Sequence, residues 1–331
     1  MVDSTVRYDL AESVREALAL HCGTDREHIV TFDNANKYSA ADSASGSDEA
    51  LSEIFELMWQ LNRDGLANDS LGSATHEVGS LRQALARVTS KLTETVGDRL
   101  FNYIELGPEP AKTTYILSRL VSIDADVRGY TAVDINPASK PTVIREISAV
   151  LARDCVRYRE QLFEDVTPDD VHTPGKPSVF TMLGFEEGND HPQNIATILS
   201  QMMLPGDFLI SEMQLLPRAG WQPVFDFYAL PAMRQFSQAV LSRYAEAENS
   251  SYGIYLVPVD LGKDWGQAMA AVTAETTTTS AGADTSWITN YCLKFNHDDY
   301  VAHRERTGDM VVLAQEVTAD GSIAFQLSKK I

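Results

Sequence analysis

A strand, a glycine turn, a helix, a second strand and an acid follow one another over residues 101–137, and this order constrains the fold most. The apolar run Tyr103–Gly107 predicts a buried strand that ends at a glycine, with an amphipathic helix after it. A second apolar run, Tyr130–Val133, predicts a strand that ends at Asp134, 27 positions after the glycine. In a nucleotide-binding βαβ unit, an acid at this place binds the ribose. We therefore predict that this segment forms a cofactor site.

Two more strands and a helix between them extend this unit. Residues 179–184 and 208–212 predict strands, and residues 193–204 predict the helix. Strands that alternate with helices at this pitch form a parallel sheet, and ligands bind beyond the carboxyl ends of its strands. The fold class that we predict is therefore α/β. The predicted strand ends are Gly107, Asp134, the loop 184–189 and Glu212.

The remaining segments predict elements around this sheet. Apolar residues three and four positions apart predict helices over residues 6–20, 49–62, 81–96 and 143–156. Residues 33–48 and 270–286 lack apolar periodicity and predict loops, the second with four threonines in a row. Near the end of the chain, Asp320 and Gly321 separate two apolar runs and predict a hairpin.

Composition narrows the class of protein and its partners. The 331 residues carry a formal net charge of −20, which argues against binding to nucleic acid or to an anionic membrane surface. No apolar run approaches the ~20 residues of a membrane span, and the N-terminal residues do not resemble a signal peptide. Cys22, Cys155 and Cys292 lie far apart without a CxxC pair, and the seven histidines lack ligand spacing. We expect a cytoplasmic protein without a metal site.

The turn after the first strand indicates which cofactor the segment binds. A dinucleotide site needs three glycines for the approach of a pyrophosphate, whereas this turn has Gly107 alone and adds the acid Glu109. S-adenosylmethionine, which has a sulfonium and no phosphate, suits the turn better. Asp134 is the candidate for its ribose, with an N-cap or a solvated acid as the alternative. Lys112 is the candidate for its carboxylate, with a surface lysine as the alternative.

Several short motifs come in the order and spacing of one family. They are Tyr103–Gly107, Lys112-Thr113, Val133-Asp134, Leu183-Gly184, Gly188-Asn189, Pro205-Gly206-Asp207, Lys294-Phe295, Gly308 and Asp320-Gly321. Through them residues 80–331 resemble the histidine-specific methyltransferase family. Its best-known member trimethylates the histidine α-amino group in ergothioneine biosynthesis.

This resemblance implies a Rossmann-like class I methyltransferase sheet and a second α+β domain that binds the substrate. The first would comprise residues 81–218 and 296–331, and the second residues 1–80 and 219–295. Gly107, Lys112 and Asp134 would hold S-adenosylmethionine, and Asp165 would contact its adenine. Asn189 would bind the amino-acid part of the substrate, although asparagine also suits a turn at this place. Tyr228, in an aromatic-rich segment of the second domain, is a further predicted substrate contact.

The sequence departs from the family where the imidazole of histidine is recognised. The family has a glutamate and a serine before its lysine–aromatic pair, and here these positions are Asn290 and Cys292. The chain adds acids instead, namely Glu186, Glu187 and Glu212. Converging carboxylates suit an amine or the planar fork of a guanidinium, although loop acids of so acidic a protein can also be solvated.

Together these features predict an S-adenosylmethionine-dependent N-methyltransferase, of use in amino-acid modification and small-molecule biosynthesis. Its substrate would be a free amino acid or a similar small cationic amine, with the arginine guanidinium as the specific hypothesis. The predicted catalytic residues are Glu186, Glu187 and Glu212, and the predicted substrate contacts are Asn189, Tyr228, Asn290 and Cys292. The alternatives are N-methylation of the α-amine of histidine or tryptophan, a non-catalytic homologue that binds S-adenosylmethionine, and, least favoured, a nicotinamide dehydrogenase. The oligomeric state is left open.

Overall fold

The computed structural model describes residues 7–32, 37–38, 48–68, 71–72, 80–123, 125–245, 249–278 and 284–331. The predicted loop 33–48, apart from Lys37, Tyr38 and Asp48, lies outside the described residues. In chain order the elements are α1 (Leu10–Cys22), β1 (Ile29–Val30), α2 (Asp48–Asn68), α3 (Ser80–Val96), β2 (Phe101–Leu106), α4 (Pro110–Ser122), β3 (Val127–Asp134), α5 (Lys140–Ile147), β4 (Val156–Glu160), α6 (Pro168–Val171), β5 (Ser178–Met182), α7 (Pro192–Met202), β6 (Phe208–Gln214), α8 (Gln222–Tyr228), α9 (Pro231–Ser242), β7 (Ser251–Asp260), β8 (Gln267–Thr278), β9 (Asp284–Lys294), α10 (His297–Glu305), β10 (Met310–Val317) and β11 (Ile323–Lys330).

The larger sheet has the strand order β10-β11-β6-β5-β2-β3-β4. The five strands from β6 to β4 are parallel, and β11 runs antiparallel to both of its neighbours, β6 and β10. The strand order reverses between β2 and β5, where open α/β sheets bind their ligands. The predicted α/β class with a Rossmann-like parallel sheet is confirmed, and so is the hairpin at the end of the chain.

Side chains of each strand alternate between the two faces of this sheet, and helices cover both faces. Tyr103 lies in a core with residues of α3, α4 and α5, whereas the next residue, Ile104, lies in a core with residues of α7. Helix α3 contributes a fully apolar stripe to the first core, formed by Leu81, Leu85, Val88, Leu92 and Val96. Strands β2, β5 and β6 are therefore buried on both faces.

A smaller sheet with the order β1-β9-β8-β7 packs beside the larger one. Strand β1 is parallel to β9, and the other pairs are antiparallel. Leu10, Val14 and Leu18 of α1 share a core with one face of this sheet, and Met213 of β6 lies in the same core. Helix α9 covers the other face. The two sheets therefore share buried surface, and the domain boundaries at residues 80, 218 and 295 stay a prediction.

Two predicted elements are wrong. The helix predicted over residues 143–156 ends with α5 at Ile147, because Val156 begins β4 and pairs with Tyr130 of β3. The loop predicted over residues 270–286 is largely the antiparallel pair β8–β9, although residues 279–283 lie outside the described part. Threonine is β-branched and favours strands, and Thr276, Thr277 and Thr278 pair across the ladder with residues 284–286.

Asp207, just before β6, forms a hydrogen bond with the first residue of β5. We therefore predict that its carboxylate contributes strongly to the stability of the fold. Its buried carboxylate accepts hydrogen bonds from the backbone N–H groups of Ser178, at 2.8 Å, and Leu204, at 2.7 Å. We expect Asp207→Ala to lower the free energy of unfolding by about 2–4 kcal/mol, because it leaves the buried N–H of Ser178 and the partly buried N–H of Leu204 unpaired. Urea unfolding measures this. The control is Asp298→Ala, whose side chain is 75% exposed and which should change stability by less than about 0.5 kcal/mol. Equal effects of the two changes would contradict the assignment.

Candidate functional site

A cavity of about 190 Å³ lies at the carboxyl ends of β2, β3 and β5, where these strands face β9, α8 and α9. A second cavity, of about 40 Å³, lies on the far side of the turn Glu186–Asn189. One end of the larger cavity is formed by residues of the larger sheet, namely Gly107, Asp134, Ile135, Leu162, Phe163 and Glu164. The other end is formed by Tyr38, Phe227, Tyr228, Phe236, Asn290 and Cys292. The cavity therefore joins the predicted cofactor segment to the smaller sheet.

Gly107 allows the carboxylate of Glu186 to lie close to the end of β2. Its φ of 68° is a left-handed conformation that favours glycine, and its N–H donates to the Val133 carbonyl at 3.0 Å. A Cβ at this position would lie 3.3 Å from both Cγ and Cδ of Glu186. The absence of a side chain at Gly107 thus permits Glu186 to approach the strand end.

Asp134 is oriented by its surroundings before any ligand binds. Its carboxylate accepts hydrogen bonds from the backbone N–H of Asn136 at 3.1 Å, from Ser139 Oγ at 2.9 Å and from the Tyr158 hydroxyl at 3.2 Å. Burial raises the pKa of Asp134 to about 6, and these hydrogen bonds oppose the rise. The predicted ribose ligand therefore lies on the wall of the cavity in a fixed orientation.

The ionisable side chains on the wall of the cavity are mainly acids. Burial raises the pKa of both Glu186 and Glu109 to about 7; nearby Asp134 adds to the rise for Glu186, whereas Lys37 opposes it. Among the described residues of the wall, the basic side chain is that of Arg7, which pairs with Glu164 at 2.7 Å. Such a wall suits a cation and disfavours a phosphate.

Lys112 lies beneath the cavity, away from the wall on which we predicted it. Its side chain and that of Glu212 are both fully buried, and Nζ donates to the two carboxylate oxygens at 2.8 and 2.6 Å. Nζ also donates to Asn62 Oδ1 at 2.6 Å, and Glu212 accepts the N–H of Gly184 at 2.6 Å. Lys112 and Glu212 therefore compensate each other instead of facing a ligand, and they support the loop that forms the wall.

Glu187 points away from Glu186 and lies outside the larger cavity. Its carboxylate forms an ion pair with Arg304 and accepts a hydrogen bond from the Tyr300 hydroxyl at 2.8 Å, beside the smaller cavity. Of the three predicted catalytic acids, the structure thus places Glu186 on the wall, Glu187 behind the turn and Glu212 beneath the floor.

The four predicted substrate residues, Asn189, Tyr228, Asn290 and Cys292, all line the larger cavity. Asn189 Nδ2 donates to Glu186 Oε2 at 3.2 Å, and Asn290 Oδ1 accepts from Lys37 Nζ at 2.8 Å. Asp165, the predicted adenine contact, is not among the lining residues, although Leu162, Phe163 and Glu164 just before it are.

The sequence did not reveal Tyr38, which lines the cavity, or Lys37, which lies behind the wall and donates to Asn290. Tyr38 and Lys37 belong to the segment without periodicity, so their sequence carried no signal of a site. Lys37 Nζ lies between 5.6 and 5.9 Å from the ring centroids of Tyr38, Phe236 and Tyr291. Phe227 belongs to the aromatic-rich segment around Tyr228, whose composition was the available signal.

Comparisons with known proteins give structural likenesses at low identity. No family model and no curated protein match the chain. The methyltransferase CcbJ from Streptomyces caelestis is 9% identical, with 75% of this chain and 94% of that chain covered and a TM-score of 0.42. A putative S-adenosylmethionine-dependent methyltransferase from Listeria monocytogenes is 9% identical, with 76% and 99% covered and a TM-score of 0.38. A possible exported protein from Bordetella parapertussis is 12% identical, with 85% and 86% covered and a TM-score of 0.45.

These identities and TM-scores are too low to carry an argument about activity, and the resemblance to the histidine-specific methyltransferase family stays a prediction. The helices formed by the described residues all lack the length and apolarity that crossing a membrane requires.

The ion pair beneath the cavity predicts a large loss of stability when it is broken. We expect Lys112→Met to lower the free energy of unfolding by about 3–5 kcal/mol, because Glu212 would remain buried without a counter-ion. The double variant Lys112→Met/Glu212→Gln should recover most of this loss, since glutamine still accepts the N–H of Gly184. Urea unfolding measures both. A Lys112→Met protein of unchanged stability that binds S-adenosylmethionine weakly would instead support the role predicted from sequence.

The raised pKa of Glu186 predicts that the stability of the folded protein depends on pH. Its pKa is about 7 in the folded protein against an ordinary value of 4.5. Between these values the folded protein keeps a proton that the unfolded chain releases, so the free energy of unfolding falls as the pH rises. We expect Glu186→Gln, which cannot ionise, to remove about 2 kcal/mol of the fall between about pH 5 and pH 8. Urea unfolding at both pH values measures it, with the exposed Glu53→Gln as control. The same pH dependence in Glu186→Gln and wild type would refute the assignment.

Proposed function

We propose that this chain is an S-adenosylmethionine-dependent N-methyltransferase that acts on a free amino acid or a similar small cationic amine. The observation that carries the proposal is the position of Glu186. Its carboxylate lies at the end of β2, beside the predicted cofactor residues, and in the same cavity as Asn189, Asn290 and Cys292. An acid at this junction can hold a cationic group next to a methyl donor. A cytoplasmic location and a small-molecule substrate are part of the proposal.

The residues present fit S-adenosylmethionine. Asp134 offers an oriented carboxylate for the ribose hydroxyls, and Ile135, Leu162 and Phe163 offer apolar surface for the adenine. The acidic wall matches the positive sulfonium, and Gly107 leaves the strand end open to close approach. When bound, this cofactor supplies a methyl group that its positive charge activates for transfer.

The protein itself needs to bind, orient and shield the acceptor nitrogen. Glu186 binds the cationic group, and its hydrogen bond from Asn189 fixes the direction of the carboxylate. The enclosed wall of Phe227, Tyr228 and Phe236 excludes water, so that the nitrogen lone pair can be held in line with the methyl group. A guanidinium matches this carboxylate best, because its planar fork donates two parallel hydrogen bonds. Arginine is therefore the substrate that we place first.

The aromatic wall favours a second candidate, which is methylation of the α-amine of tryptophan or histidine. Tyr38, Phe227, Tyr228 and Phe236 form a surface on which a flat side chain can pack. In this case Glu186 would bind the α-ammonium instead of a guanidinium. The two candidates differ in the nitrogen that is methylated.

Transfer of a labelled methyl group tests the proposal. The protein is incubated with methyl-labelled S-adenosylmethionine and a panel of free amino acids, and mass spectrometry locates the added methyl. We expect label on the arginine side chain, and about a 100-fold lower kcat/KM for Glu186→Gln, because a buried charge contact is lost. The exposed variant Glu53→Gln should behave as wild type. Label on the α-amine of tryptophan or histidine would support the second candidate, whereas no label on any amine together with no binding of S-adenosylmethionine would reject both.

A further inference from the structure

Asn290, on β9, has one end of its side-chain amide fixed by a buried lysine. Its Oδ1 accepts a hydrogen bond from Lys37 Nζ at 2.8 Å. An ammonium group donates hydrogen bonds and cannot accept them, so this contact identifies the oxygen of the amide. Lys37 is 2% exposed and lies behind the wall, whereas Asn290 is partly exposed and lines the larger cavity. Its Nδ2 has no acceptor within the part of the chain that the structure describes, so the amide offers its N–H groups to a ligand.

The surroundings of Lys37 suit a positive charge. Nζ lies 5.9 Å from the ring centroid of Phe236 and 5.6 Å from that of Tyr291, at distances at which aromatic faces attract a cation. The charge also reaches the cavity, since it opposes the rise in the pKa of Glu186. A hydrogen bond from a cation to Oδ1 polarises the amide and makes its N–H groups stronger donors. Lys37 and Asn290 thus form a positively polarised part of a wall whose ionisable side chains are mainly acids.

A free amino acid needs such a place, because it carries a carboxylate as well as the cationic group that Glu186 binds under the proposed function. The carboxylates of Glu186 and Asp134 disfavour a further carboxylate near the strand ends. Arg7, the basic side chain on the described wall, is paired with Glu164 beside the predicted cofactor residues. The N–H donors of an amide in front of a buried cation match a carboxylate, which accepts strong hydrogen bonds from polarised donors.

We propose that Asn290, oriented by Lys37, binds the carboxylate of the amino-acid substrate and thereby selects amino acids over amines that lack a carboxylate. Glu186 and Asn290 then hold the cationic group and the carboxylate of one molecule. Lys37 is a positioning residue, which acts through the amide. The inference rests on the proposed function and adds which part of the substrate contacts β9. S-adenosylmethionine also carries a carboxylate, so the measurements below separate the two sources.

Comparison of an amino acid with its decarboxylated amine tests the carboxylate site. The pairs are arginine and agmatine, tryptophan and tryptamine, and histidine and histamine, each assayed with methyl-labelled S-adenosylmethionine. For the pair that accepts label, we expect the wild type to prefer the amino acid by about 100-fold in kcat/KM, because the amine leaves the polarised amide unpaired. Equal kcat/KM for the two members would overturn the inference while leaving the proposed function standing. If the wild type transfers no label to any amine, the proposed function fails, and the inference fails with it.

The variant Asn290→Asp keeps the size of the side chain and replaces its donors by a negative charge. Its carboxylate still accepts from Lys37, so the protein should fold. We expect kcat/KM for the amino acid to fall by about 100-fold, because like charges then meet, and kcat/KM for the amine to stay within about threefold of wild type. Lys37→Met, which leaves the amide free to rotate, should lower the preference for the amino acid by about tenfold. The exposed variant Asn249→Asp is the matched control and should behave as wild type.

Calorimetry with S-adenosylmethionine assigns the carboxylate to its source. We expect the wild type and Asn290→Asp to bind the cofactor with the same affinity, because the amide contacts the substrate. A weaker affinity in Asn290→Asp, together with an unchanged preference between amino acid and amine, would place the carboxylate of the cofactor at Asn290 and overturn the inference. An unchanged preference with unchanged cofactor affinity would equally reject a carboxylate site at Asn290, and the proposed function would stand in both cases.

Discussion

The buried pair of Lys112 and Glu212 is the interaction on which the rest of the structure depends. It joins the first turn of α4 to the end of β6, and through Asn62 and Gly184 it reaches α2 and the loop after β5. Burying two charges costs much of what their attraction provides, so the pair is better understood as fixing an arrangement than as adding stability. The elements that it fixes are those that surround the cavity.

Above this pair, the turn Glu186–Asn189 directs neighbouring side chains to opposite sides. Glu186 faces the cavity, and Glu187 is held by Arg304 and Tyr300 on the other side. The glycine that follows them packs on Cys292, so the turn touches the larger sheet and β9 at once. One short turn therefore determines how the two sheets share a site, and its acids differ in role because their surroundings differ.

The sequence could predict the parts of this molecule that local pattern determines. Apolar runs and the glycine at 107 were enough for β2, α4, β3 and the acid at the tip of β3. The position of Lys112 was not predictable in this way, because its partners lie 50 residues before it and 100 residues after it. Pairing with neighbouring strands overrode local pattern at β4 and in the threonine run of β8. At the cavity, sequence pattern pointed to lining residues at strand ends and in the turn, whereas Tyr38 is brought to the wall by contacts that no spacing reveals.

The acidic wall described above bears on the order in which products leave. The carboxylates of the protein are the same before and after the reaction, whereas under the proposed function the contents of the cavity lose one positive charge. In that reaction the sulfur of the spent cofactor would be an uncharged thioether, which the wall would no longer attract, while the methylated product would still be a cation and would still pair with Glu186. Electrostatics therefore favours departure of the spent cofactor first. A product retained in this way can accept a second methyl group once fresh cofactor enters, so the charge of the wall bears on processivity.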